Sequence, residues 1–135
     1  MLPELLKQLT VSDRSDLISL SLTLSEQQSE STIAKRVGNR IFSQVNEVPP
    51  SIEDIGDLEQ ALFQLCHTLE KQKLIVLLYN TEPYPNLVSL CNQLADIVAI
   101  AWICESPIES ISIRTFHPDS DNLHTALQTW LQEIA

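Results

Sequence analysis

The chain has 135 residues, 44% of them hydrophobic and 19% charged, and its 18 acidic against 8 basic side chains leave a formal net charge of −10. That length suits one domain able to bury roughly two thirds of its unfolded surface, and the hydrophobic content lies well away from the regime of disorder. A packed core is expected with no disulfide or metal to staple it. A field of this sign repels phosphate backbones and anionic membranes, so neither nucleic acid nor a membrane is the expected partner.

The amino terminus, MLPELLKQL, has no cationic region followed by a long apolar core and does not read as a secretory signal. The longest apolar run, Ile97 to Cys104, is too short to span a bilayer as a helix. Three cysteines without a C-x-x-C spacing fit a reducing compartment, and the expected location is the cytoplasm. Negative charge deepens along the chain. After Lys73 the sole cation is Arg114, against Glu82, Asp96, Glu105, Glu109, Asp119, Asp121 and Glu133.

In chain order, Leu5, Leu6 and Leu9 behind Pro3 suggest a short helix over residues 3–9. Ile18, Leu20, Leu22 and Leu24 alternate with Ser19, Ser21 and Thr23, the period-two signature of a half-buried strand. Ile33, Val37, Ile41 and Val45, four apart, predict an amphipathic helix over 31–45, with Lys35, Arg36 and Arg40 on a solvated face. The stretch NEVPPSIEDIGD, residues 46–57, reads as an acidic, proline-containing connector too short to separate two domains.

Asp57 is the expected cap of a helix running to about Lys71, with Leu58, Ala61, Leu62, Leu65 and Leu69 as its apolar stripe. Leu74 to Tyr79 (LIVLLY) and Ile97 to Cys104 (IVAIAWIC) are apolar throughout, as expected of strands covered on both faces. Between them Asn86 is the expected cap of a helix with Leu87, Leu90, Cys91, Leu94 and Ala95 inward. Strand, helix and strand in about thirty residues form a βαβ unit, so these two strands are expected to be parallel neighbours at the sheet's centre. Ser110 to Phe116 alternates and suits a more exposed strand, and a last helix, capped by Asp121 or Asn122, buries Leu123, Ala126, Leu127, Trp130, Leu131 and Ile134.

The predicted whole is a single acidic α/β domain over residues 1–135, with a mixed four-stranded sheet and helices on both faces. Its order is helix, strand, helix, helix, strand, helix, strand, strand, helix. The rival is an all-α bundle, because short apolar runs do not by themselves distinguish strand from buried helix.

Gly38 and Gly56 are the only glycines. Phosphate-cradling loops and nucleophile elbows need glycine where the backbone meets a ligand or turns sharply. No such motif can be written here, which makes the common nucleotide-binding and hydrolase chemistries improbable. His67, His117 and His124 with Cys66, Cys91 and Cys104 show no zinc-ligand spacing, and the cysteines lie in apolar surroundings that suit core packing. His117, Asp119 and Asp121 in HPDSDN read as a proline turn followed by helix-capping aspartates, without the glycine and distal glutamate of a calcium loop. No catalytic residue, cofactor site or metal site is assigned.

Exclusion therefore points to a non-enzymatic adaptor or assembly chaperone that holds a basic or amphipathic segment of another protein. Homodimerisation is a further option. The candidate contact residues are Tyr84, stiffened between Pro83 and Pro85, with Glu82 beside it and Glu105 expected nearby on the adjacent strand's loop. Edge strands carrying Ile18 and Leu20, and Ile111 and Ile113, can accept an extended segment through main-chain hydrogen bonds. Two alternatives remain. One is a small-molecule sensor or compact enzyme using Asn80, Thr81 and Glu82 beside Glu105 and Ser106 at the strand ends; the other is an acidic inhibitor that mimics nucleic acid.

Overall fold

The computed structural model describes residues 9, 15–23, 28–105, 113–119 and 121–134. The helix expected over 3–9 lies outside them except for Leu9, as do Leu24, Ser106 and Ile111. The elements are β1 (Ser15–Leu20), α1 (Glu30–Gln44), α2 (Ile55–Thr68), β2 (Lys73–Leu78), α3 (Pro85–Leu94), β3 (Val98–Ile103), β4 (Ile113–Phe116) and α4 (Leu123–Ile134). The all-α alternative is excluded.

The four strands stand in the order β1-β2-β3-β4, and every pairing is parallel, with Leu20 opposite Leu78, Val76 opposite Ile100, and Ile103 opposite Phe116. The sheet is thus parallel where a mixed one was expected. A short link between β3 and β4, residues 104–112, favours that expectation, since parallel crossovers usually take a dozen residues or more. Here β4 is brief and lies beside only the last four of the six residues of β3. The return leg is about 13 Å, within reach of nine residues, which extend to about 30 Å.

Burial follows the strand order. β2 and β3 are enclosed almost throughout, whereas the edge strands β1 and β4 alternate between buried and accessible positions. Ile18, Leu20, Leu74, Val76, Leu78, Ile100, Trp102 and Ile113 face α1, α2 and α3 across the larger core. Ile75, Leu77, Ala101, Ile103 and Phe116 face α4 through Leu123, Leu127, Trp130 and Leu131. Each large side chain so enclosed contributes about 1.5–3 kcal/mol. On the α4 side Phe116 and Trp130 meet edge to face, with centroids 6.1 Å apart.

Helix starts depart from expectation by a few residues. Asp54 caps α2, its carboxylate accepting from Asp57 N–H at 2.8 Å, while Asp57 accepts from Glu53 N–H at 2.9 Å. Asp57 therefore lies inside the helix, where its charge favours the N-terminal dipole. In α3, Pro85 occupies the first turn and Tyr84 the cap position expected for Asn86. The amide of Asn86 instead donates to the Gln28 carbonyl at 2.8 Å. The connector between α1 and α2 is anchored by Ile52, which is buried against Gly38 and Leu58.

Candidate functional site

A cleft of about 410 Å³ opens at the C-terminal end of the sheet, lined by Asn80, Thr81, Glu82, Pro83, Ile103, Cys104, Glu105 and Pro118. Its walls are the segments that leave β2 and β3, with Pro118 contributed by the turn after β4. Parallel strands put all their C-termini on one side, so three sequence-distant segments converge there. Because the strands follow in simple sequential order, however, none of the described crossovers reverses direction. The crevice at a reversal of strand order, where such sheets usually hold nucleotides, is missing among these four strands.

The floor is rigid. Thr81 is buried, its hydroxyl accepting from Leu22 N–H at 3.0 Å and donating to the Tyr79 carbonyl at 2.8 Å. Asn80 beside it holds a left-handed backbone, φ 49°, which asparagine tolerates better than most residues. The lining is acidic: Glu82 and Glu105 are exposed, and Pro83 and Pro118 add apolar surface to it. Such a cleft can take a cation or a cationic side chain with its aliphatic stem. Among the described residues no group of histidine, cysteine and carboxylate side chains could hold a metal ion.

Glu82 and Glu105, paired from the sequence, are brought to this one cleft, and Asn80 and Thr81 join them. Tyr84 is half-buried and lies just outside the lining, at the start of α3. Ile18, Leu20 and Ile113 are inside the core, 1%, 1% and 4% exposed, so β1 and β4 have only main chain and alternate residues to offer a partner. Cys104, expected in the core, is half-buried against it and also lines the cleft; Ile103 and Pro118 carry no signal of a cleft in the sequence, being an apolar strand end and a turn proline.

His117 closes a turn, its Nδ1 accepting from Asp119 N–H at 3.1 Å. Burial pushes the Cys91 thiol up to about 12 and raises that of Cys66, the latter against the pull of a main-chain hydrogen bond at Leu74. Both favour the inert, protonated thiol.

The profile of the NACHT C-terminal Alpha/Beta 1 family, NCAB1, matches residues 5–134. The chain belongs to this family. The match spans all four strands of this NCAB1 domain, together with the cleft at their ends. No curated protein and no solved structure matches it. Among the described residues no helix is long and apolar enough to cross a membrane.

Proposed function

We propose that this NCAB1 domain is a protein-binding adaptor or assembly factor that works beside a NACHT module and holds a basic or amphipathic segment of another protein. The observation that carries this reading is the cleft lined by exposed Glu82 and Glu105 together with Pro83 and Pro118, in a chain of net charge −10. Carboxylates orient a basic segment and speed its encounter, while the apolar wall buries its stems. Tyr84 adds a half-buried aromatic on a stiff loop next to the cleft, a residue type common among interface anchors.

A peptide array probed at low salt tests it. Spots rich in lysine or arginine and containing apolar residues are expected to bind, with affinity falling as salt rises. Glu82→Lys combined with Glu105→Lys removes that binding and leaves the fold intact. Equal binding by the charge-reversed protein would sink the proposal.

The second reading is a small-molecule sensor. The cleft's volume falls within the range of small-ligand sites, and it lies at the strand ends where such sites form. A metabolite that raises the melting temperature of the wild-type protein but not of the Glu82→Lys variant would favour it.

A further inference from the structure

Helix α2 breaks the amphipathic rule at one position. Leu58, Ala61, Leu62 and Leu65 are buried on its inner side, and Phe63 is 68% exposed in the middle of the outer one. The six other aromatic residues of the chain are buried or half-buried. Beside the ring an open depression of about 350 Å³ is lined by Phe63, Gln64, His67 and Thr68. Thr68 and the turn after it lead into the start of β2, so this face lies towards the end of the sheet opposite the acidic cleft.

The spacing of those residues gives the depression its shape. Positions four apart on a helix form a ridge. Here Glu59, Phe63 and His67 make one ridge, and Gln60, Gln64 and Thr68 make the next. The depression is the groove between them. In the commonest mode of helix packing, a four-residue ridge of one helix enters such a groove of another. One face of α2 therefore carries both parts of the contact, a ridge with a protruding ring and the groove that receives it.

We infer that this face of α2 is a self-association surface, and that its occupant is the same face of a second copy, packed antiparallel about a two-fold axis beside Phe63. Shape favours this pairing, since a two-fold contact needs a surface complementary to itself. Charge favours it too. Glu59 and His67 stand four residues before and four residues after Phe63, so the axis sets the carboxylate of each copy against the imidazole of the other. The imidazole has an N–H to donate in either protonation state. A parallel pairing would instead oppose Glu59 to Glu59. The two Phe63 rings bury each other, offset, at the centre. A contact of one helix face falls below the roughly 1,200 Å² of a stable interface, so the dimer is weak and forms with rising concentration.

Sedimentation velocity from micromolar to millimolar protein tests it, with circular dichroism as the check on folding. Wild-type protein is expected to dimerise reversibly, and Phe63→Ser to raise the dissociation constant about tenfold or more. His67→Glu sets like charges across the axis and weakens the dimer several-fold. Glu59→Lys weakens it as well, although it lowers the net negative charge and would tighten a dimer limited only by overall repulsion. The double variant Glu59→Lys, His67→Glu restores wild-type affinity. Protein that stays monomeric throughout overturns the inference, and so does a dimer indifferent to Phe63→Ser. Single losses that add up in the double variant refute the antiparallel pairing. Should Phe63→Ser not fold, the charge swap alone decides.

Discussion

The indole N–H of Trp102 donates to the main-chain carbonyl of Thr81 at 3.0 Å, joining the third strand to the loop that leaves the second. Trp102 is fully enclosed, and the hydroxyl of Thr81 also holds Leu22 N–H beyond the end of the first strand. One small residue thus ties the ends of three parallel strands and fixes the floor of the acidic cleft. Thr81→Val keeps the shape and removes the hydroxyl, leaving Leu22 N–H and the Tyr79 carbonyl without this partner. The expected loss is about 2 kcal/mol or more, read as a lower urea midpoint. Thr81→Ser keeps the hydroxyl and should cost about 1 kcal/mol; equal losses for the two variants would show that the methyl, not the hydroxyl, matters.

Helices α1 and α2 both end in the reversed turn that usually carries glycine. Lys71 N–H reaches the Cys66 carbonyl at 3.0 Å and Glu70 N–H reaches that of His67 at 3.2 Å, while Glu70 holds a left-handed φ of 56°. Asn46 plays the same part after α1. A side chain in that region costs about 1–2 kcal/mol, of which the greater freedom of unfolded glycine returns roughly half. Glu70→Gly is therefore expected to stabilise the fold by about 0.5–1 kcal/mol in chemical denaturation, and Glu70→Val to destabilise it. A glycine variant no more stable than wild type would mean the turn is unstrained.

These turns also mark where the sequence was silent. Continuous apolar runs announced β2 and β3, and four-residue spacing announced α1, because burial imposes those periods directly. The cleft followed from them, since parallel central strands put residues 80–82 beside 105. The ends expected at 45 and about Lys71 lie close to the observed Gln44 and Thr68, but with no glycine at either, the left-handed turns themselves were not legible. Arg36 and Arg40 read as a solvated face because a helical wheel shows which residues avoid the core and says nothing about the Thr23 and Ser21 carbonyls just past β1, to which their guanidinium groups donate. β1 begins earlier than its alternation, at Ser15, and ends at Leu20 because the next inward donor, Leu22 N–H, is taken by a side chain rather than by a strand.

Gly38 is buried where α1 meets the connector. A Cβ there would overlap Ile52 Cδ1 and come within 3.1 Å of Leu58 Cδ1. Alanine in a helix is worth about 1 kcal/mol over glycine, so the overlap decides the outcome. Gly38→Ala alone is expected to destabilise the domain. Ile52→Val removes the offending methyl at a cost of about 0.5–1.5 kcal/mol, and in that background Gly38→Ala becomes neutral or stabilising. The cycle should show a favourable coupling of about 1 kcal/mol; additivity would mean that Ile52 turns aside freely.

Cys91 gives the stability an alkaline limb. Its thiol titrates near 9.0 when unperturbed and is pushed up to about 12 by burial. Between those values the unfolded chain has lost the proton and the folded chain retains it, so stability is full below pH 9 and falls as pH rises towards 12. The slope from this group reaches about 1.4 kcal/mol per pH unit. Cys91→Ala should flatten the decline by that amount, measured by urea unfolding across this range. In native protein at neutral pH, a thiol-reactive dye should reach Cys91 only as fast as the protein opens. An unchanged alkaline slope in the variant would assign the decline to other groups.

Tyr84 occupies a position that its side chain serves poorly. It is the cap residue of α3, with φ −63° and ψ 146°, and makes no side-chain hydrogen bond to the helix start. Serine or aspartate fits those angles and accepts from the next free N–H groups, a gain of about 1 kcal/mol over a non-capping residue. Pro85 has no N–H, so those groups belong to Asn86 and Leu87. Part of the gain is offset by the lost burial of a half-enclosed ring. A tyrosine kept at such a site, between two prolines and beside an acidic cleft, is what an interface anchor would look like, since local rules give way where function needs another residue. Tyr84→Ser is therefore expected to leave the urea midpoint unchanged or raised, and to weaken binding of a basic peptide about tenfold, which is about 1.4 kcal/mol. Tyr84→Phe should bind nearly as well as wild type if the ring supplies burial. A serine variant that loses stability by several kcal/mol and binds normally would make Tyr84 a packing residue, and the acidic cleft would then have to account for recognition alone.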